Sequence, residues 1–203
     1  MTESILRKNI EGSLEVHRRL LDACLPAMSL AAGALIEAYR RGRKALLFGN
    51  GGSAADAQHL AAEFVGRYLR ERPGMPALAL HANSSALTAI ANDYGYDHIF
   101  SRQIEALAVA DDVAVGISTS GNSRNVVEGL ALARKMGLFT VGLTGGSGGR
   151  MREFADALIA VPSNETPRIQ ECHILVGHAL CDAVEQAMAT QAASAHSAAI
   201  RQT

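Results

Sequence analysis

The chain has 203 residues, of which 48% are hydrophobic and 19% charged, with a formal net charge of −1. This balance fits an ordinary globular protein with enough chain for a full core. It offers neither the basic field of a nucleic-acid binder nor an acidic tail, so no nucleic-acid partner is expected.

No unbroken apolar run reaches the roughly 18 residues of a membrane span, because "KALLFG", "PALAL" and "VAVGI" are all short. The first residues, "MTESILRKNIEGSLEVHRR", read as an amphipathic helix without the apolar region of a secretion signal. Neither a membrane association nor an extracellular setting is therefore expected. Cys24, Cys172 and Cys181 form no paired framework and suit a reducing cytoplasm. They are read as buried, inert thiols.

Two helices are predicted first, over about 3–22 and 26–42. The stretch "LLDACLPAMSLAAGALIEAY" leaves a wide apolar surface, which would serve either a subunit contact or the cover of a sheet. From residue 44 short apolar runs alternate with helical patterns. "KALLFG", "PALALH", "DVAVGIS", "FTVGLT" and "ALIAVP" predict five buried strands. Helices are predicted between them at about 53–70, 86–109 with breaks, 122–136 and 149–155, and a long one closes the fold at about 167–190. This alternation predicts an α/β fold: a five-stranded parallel sheet covered on both faces, with right-handed crossovers. With no linker and no repeat, a single domain is expected over 1–190, comprising N-terminal helices (1–42) and an α/β core (44–190). Residues 191–203 hold little that can pack and are expected to form a loose tail.

Ligands of open parallel sheets gather at the C-terminal ends of the strands. Three such ends are rich in Gly, Ser and Thr: "GNGGS" (49–53), "STSGNS" (118–123) and "TGGSGG" (144–149). In the second, Ser118, Thr119, Ser120 and Ser123 place four hydroxyls at the start of a helix, where free N–H groups and the helix dipole favour an anion. A capped turn needs one hydroxyl; four point to a phosphate. "GNGGS" has neither the Lys of a Walker loop nor the spaced glycines of a dinucleotide site.

The helix that starts in "GNGGS" carries His59 and Glu63 four residues apart, on one face. Such a pair suits a zinc-class metal or acid–base work beside a ligand. In the last helix, "RIQECHILVGHALCDAVE" places Gln170 and His178 eight residues apart, about 80° round the axis, so both can flank one site. The residues alone do not choose between Gln170 and Glu171, or between His173 and His178.

The blocks "GNGGSAADAQHLAAEF", "IANDYGY", "GISTSGNSRNVVEGL" and "VPSNETPRIQECHILVGHALCD" together closely resemble the phosphoheptose isomerases of the sugar isomerase (SIS) fold. The resemblance spans about 40–188 and implies a flavodoxin-like three-layer sandwich with N-terminal helices for oligomerisation. It implies conversion of sedoheptulose 7-phosphate to D-glycero-D-manno-heptose 7-phosphate, the first step towards the heptose of lipopolysaccharide or related surface sugars. It also implies a cytoplasmic homotetramer with one zinc per subunit and active sites between subunits. Matched residue by residue, His59, Glu63, Gln170 and His178 fall on the metal site, and Glu63 and His178 also on the acid–base pair. Asn50, Gly51, Gly52, Ser53, Glu63, Arg67, Asn92, Asp93, Ser118, Thr119, Ser120, Ser123 and Gln170 fall on substrate contacts, with Arg67 one turn along from Glu63. One departure is Asn83, where relatives usually carry Asp. A non-catalytic SIS relative, the DnaA initiator-associating protein, is similar in several blocks. It lacks the carboxylate and the histidine that this chain has at Glu63 and His178.

Overall fold

The structure, a computed structural model, describes residues 1–189 in full and the backbone alone from 190 to 200. The tail expected at 191–203 lies outside the fully described residues. All five predicted strands form: β1 (Ala45–Gly49), β2 (Ala77–Ala79), β3 (Val113–Ile117), β4 (Phe139–Gly145) and β5 (Ala157–Val161). They pair in parallel in the order β2-β1-β3-β4-β5, the flavodoxin-like arrangement. β1 and β3 are buried at every residue, which is why they read as unbroken apolar runs rather than alternating ones.

Six helices complete the described fold: α1 (Thr2–Arg40), α2 (Gly52–Val65), α3 (Ser84–Tyr94), α4 (Ser101–Leu107), α5 (Arg124–Lys135) and α6 (Thr166–Ile200). Short 3-10 turns lie at Tyr96–His98 and Gly149–Glu153. Alternate strand residues serve opposite faces of the sheet. Leu47, Val115 and Ile159 pack with Leu35, Phe64 and Val176 of α1, α2 and α6. Leu46, Phe48 and Ala114 pack with Ile104 and Leu130 of α4 and α5. This is the expected three-layer sandwich.

The two predicted N-terminal helices are one. α1 runs through Pro26 without a break. A proline removes one intrahelical hydrogen bond, to the carbonyl four residues back. Here Pro26 and Asp22 are both exposed, so water can serve that carbonyl. One face of α1 (Val16, Leu20, Cys24, Ala31 and Leu35) is buried against β5 and α6. By length and composition α1 is also the one described helix able to cross a membrane, with a window of mean hydropathy 1.5. Continuous apolar runs did not reveal this, because Asp22, Pro26 and Ser29 interrupt the pattern.

α2 and α6 follow β1 and β5, and both leave the same edge of the sheet. They therefore run parallel, side by side. A Cβ on Gly177 of α6 would lie 2.5 Å from Leu60 Cδ1, so the missing side chain lets the two helices approach closely. Near their starts, a Cβ on Gly52 would lie 2.5 Å from Gln170 Nε2. Further along, His173 is fully buried and donates from Nε2 to the Thr144 carbonyl at 3.1 Å. Burial pushes its pKa down to about 4.

Two measurements check this packing. The unfolded chain protonates His173 near 6.5 while the folded chain resists until about 4, so the unfolded state binds more protons between those values. The stability tied to neutral His173 is therefore complete above about 6.5 and is lost as pH falls towards 4. The unfolding free energy of the wild type, from denaturant curves, should fall by roughly 3 kcal/mol more across that window than that of His173→Asn. At Gly52 the obstructing atom is the far end of a flexible side chain. Gly52→Ala should leave stability within about 1 kcal/mol of wild type, while a crystal structure shows the Gln170 amide swung away. A much larger loss would mean that the backbone itself had to move.

Candidate active site

The strand order reverses direction at β1 and β3, and the loops after these strands are "GNGGS" and "STSGNS". In the second loop Ser118 Oγ lies 2.9 Å from Ser123 Oγ and 3.5 Å from Ser120 Oγ. Ser123 stands at the N-cap of α5, but its hydroxyl makes no cap hydrogen bond. The hydroxyls thus face one another instead of closing the helix, the arrangement of an anion cradle. Thr119 is half-buried beside them, and its carbonyl accepts from Gly145 N at 3.1 Å.

The third glycine-rich loop differs from the other two. Residues 145–151 pack against the cradle from behind, with Met151 N donating to Gly121 O at 3.0 Å and Arg150 N to Asn122 Oδ1 at 3.1 Å. Gly121, at φ +67°, has its Cα against the Gly148 carbonyl and leaves no space for a side chain. This loop is a brace, with Gly149 in close contact with the backbone of Ser120 and Gly121.

In the first loop, Gly51 takes φ +57° so that α2 can start at Gly52, and Ser53 is buried behind it. The Asn50 amide is fixed on two sides. It exchanges two hydrogen bonds of 2.9 Å with the Asn125 amide and accepts a third from Tyr96 Oη at 3.0 Å. Tyr96 follows α3, so this bond ties the Asn92–Asp93 end of that helix to the first loop. Asn92 and Asp93 themselves are exposed and bonded to each other at 2.8 Å. Sequence reasoning missed Asn125 and Tyr96. Both lie inside quoted blocks, but nothing in their spacing marks them as partners of Asn50. Asn83 caps α3, its Oδ1 accepting from Ala86 N at 3.0 Å, as the usual Asp would.

Along the seam between α2 and α6, His59, Glu63 and His178 come together. His59 Nε2 lies 2.8 Å from His178 Nε2 and 3.4 Å from Glu63 Oε1, and one ligand atom of each lies within 4.8 Å of the others. Two imidazole nitrogens and a carboxylate oxygen turned to one point fit a zinc-class cation. Tyr68 stacks on His178 with ring centroids 5.4 Å apart. Gln170 lies beside Gly52, nearer the "GNGGS" loop. Glu171 instead pairs with Arg168 at 2.7 Å, and His173 is in the core.

Arg67 is displaced from its expected place. α2 stops at Val65 with Gly66 as its C-cap, so Arg67 is not a further helical turn beyond Glu63. It lies in the following segment, exposed, 3.8 Å from Glu71. That segment is wrapped round Glu185, which is fully buried and accepts from the backbone N–H groups of Tyr68, Leu69 and Arg70 at 2.7–2.9 Å. Burial alone would raise the Glu185 pKa, but those N–H bonds and the Arg72 guanidinium hold it below the ordinary value. A cavity of about 1020 Å³ lies beside edge strand β2 and is lined mainly by Ala and Leu. It contains none of the converging polar groups.

A family model described as "SIS domain" matches residues 10–145. The phosphoheptose isomerase of Rhodospirillum rubrum is 54% identical over 186 residues, covering 92% of this chain and 98% of the relative. That of Aneurinibacillus thermoaerophilus is 50% identical, covering 90% and 93%. Among solved structures, phosphoheptose isomerase GmhA from Neisseria gonorrhoeae superposes with a TM-score of 0.87 at 41% identity, covering 92% of this chain and all of that one. A phosphoheptose isomerase from Francisella tularensis gives 0.88 at 34% identity, covering 92% and 99%. Fold, strand order and near full-length identity agree, and the chain belongs to the SIS-domain family, within its phosphoheptose isomerases.

Proposed function

We propose that this protein interconverts D-sedoheptulose 7-phosphate and D-glycero-D-manno-heptose 7-phosphate through an enediol. The observation that carries this reading is the meeting of Glu63 and His178 on a seam that begins at the sugar-facing loop. The near full-length identity to proteins named phosphoheptose isomerases supports it. A role as a non-catalytic regulator would give Glu63 and His178 no task.

Aldose–ketose exchange moves a proton between C1 and C2, so it needs a base at carbon and proton delivery at oxygen. Glu63 is the base. Its carboxylate is about one-fifth exposed, held between His59 and the α6 surface, and can face a substrate carbon. His178 delivers the proton to oxygen through its imidazole, whose ring nitrogens can both give and accept one. Ser118, Thr119, Ser120 and Ser123 hold the phosphate, and that remote binding energy aligns C1 and C2 with the acid–base pair. Asn50, Gly51, Gly52 and Ser53, with Asn92, Asp93 and Gln170, contact the sugar hydroxyls. Arg67, on its mobile-length side chain, reaches the substrate from the segment after α2.

His59, Glu63 and His178, with Gln170, would hold zinc, one ion per subunit. When bound, that ion supplies polarisation of the two reacting oxygens. The protein is read as a cytoplasmic homotetramer with active sites between subunits, and the exposed apolar residues of α1, among them Ile10, Leu14, Leu21 and Leu25, offer surface for a subunit contact. The product would enter heptose synthesis for lipopolysaccharide or a related surface polysaccharide.

Purified protein should form aldose phosphate from sedoheptulose 7-phosphate, and Glu63→Gln and His178→Gln should each lower the rate by about 10²–10⁴-fold. A wild type inert with and without zinc would sink the isomerase reading. His59→Gln should weaken zinc binding by at least about tenfold in a competition titration with a chromogenic chelator. Unchanged affinity would remove His59 from the metal set.

A further inference from the structure

Glu185 lies seven residues beyond His178 on α6, on the same face two turns along. None of its side chain is exposed. A carboxylate so buried persists only when its charge is answered on every side. Three consecutive backbone N–H groups, from Tyr68, Leu69 and Arg70, point at its two oxygens. Arg72 Nε stands 3.2 Å away and is itself buried, and Arg70 Nη1 is at 3.9 Å. Arg72 also donates to the carbonyls of Glu63 and Phe64, so the same cluster fastens the last turn of α2.

What this grip fixes is Tyr68. Its ring lies on His178 at 27° between planes, while His59 meets the same imidazole edge-on at 71° with centroids 5.1 Å apart. The imidazole is thus held between one ring that stacks and one that abuts. An imidazole that turns about its bond to Cβ meets the Tyr68 ring, and the Glu185 bond to the Tyr68 N–H fixes the backbone from which that ring projects.

We propose that Glu185 is a positioning residue that acts through Tyr68, holding the phenol ring against His178 so that the imidazole keeps Nε2 aimed at His59 and Glu63. The catalytic half of this statement rests on the isomerase reading; the geometric half does not. A purely structural Glu185 would stabilise the 66–72 segment with no effect on His178.

The test compares Tyr68→Leu, Tyr68→Phe, Glu185→Gln and the double variant Tyr68→Leu/Glu185→Gln. Tyr68→Leu should lower kcat by about 10–100-fold with KM for sedoheptulose 7-phosphate changed less than about threefold, since orientation and not binding is lost. Tyr68→Phe, which keeps the ring, should recover most of that loss. Glu185→Gln should lower kcat similarly, and the double variant should be no slower than the slower single one, because both act on one element. Independently of activity, the His178 ring protons, assigned by their absence from His178→Gln, should resonate upfield in the wild type under the Tyr68 ring. They should move downfield in both Tyr68→Leu and Glu185→Gln. If Glu185→Gln fails to fold, Glu185→Asp takes its place with the same expected signs.

Losses that multiply in the double variant, or a His178 signal unmoved by the Glu185 change, would overturn the proposal. Should the wild type prove inert towards the sugar phosphate, the isomerase reading fails, and the ring-proton shifts alone decide whether Glu185 positions His178.

Discussion

The close approach of α2 and α6 at Gly177 is the contact on which the rest of the site depends. Leu60 fills the space that a side chain at that position would occupy. Because both helices leave the same edge of a parallel sheet, they run in the same direction, and their residues pair in order. Gly52 meets Gln170, Leu60 meets Gly177, and His59 and Glu63 meet His178. A helix running the other way would set His178 beside the anion loop and leave Glu63 without a partner. The chemistry therefore depends on strand topology before it depends on any polar residue.

The two loops at the sheet edge are fixed by different means. The serine-rich cradle is braced from behind by the loop after β4, where Gly149 packs on the backbone of Ser120 and Gly121 and the Gly148 carbonyl lies against Gly121. The "GNGGS" loop is fixed by side chains, through the paired amides of Asn50 and Asn125 and the hydroxyl of Tyr96. Asn125 also stands in the first turn of α5, directly after the cradle. One residue thereby couples the two loops that would hold opposite ends of a sugar phosphate. Such coupling supplies preorganisation, since little side-chain freedom is left to lose on binding.

Much of the fold could be read along the chain. Five apolar runs became five strands; the central β1 and β3, buried at every residue, are apolar throughout, while edge strand β2 leaves Leu78 exposed. His59 and Glu63 could be paired from spacing, since four residues make one helical turn. Other features were not legible. Pro26 reads as a helix boundary, yet α1 continues through it, because whether a proline breaks a helix depends on what answers the freed carbonyl. Arg67 reads as one more turn of α2, but Gly66 ends that helix and Glu185, more than a hundred residues away, claims the segment beyond. Burial of Glu185 is likewise invisible in a stretch that reads as the plain end of a helix.

By itself the sequence determined the local periodicities: which segments are strands, which helix faces are apolar, and where hydroxyls and glycines cluster after a strand. These follow from 2- and 3.6-residue repeats and from turn chemistry, and neither needs a distant partner. The tertiary structure alone decided that Glu63 faces His178, that His173 is buried, that Asn125 holds Asn50, and that Tyr68 covers the His178 ring. Each of these joins residues far apart in the chain, and only the order and direction of the strands settle which helices lie side by side.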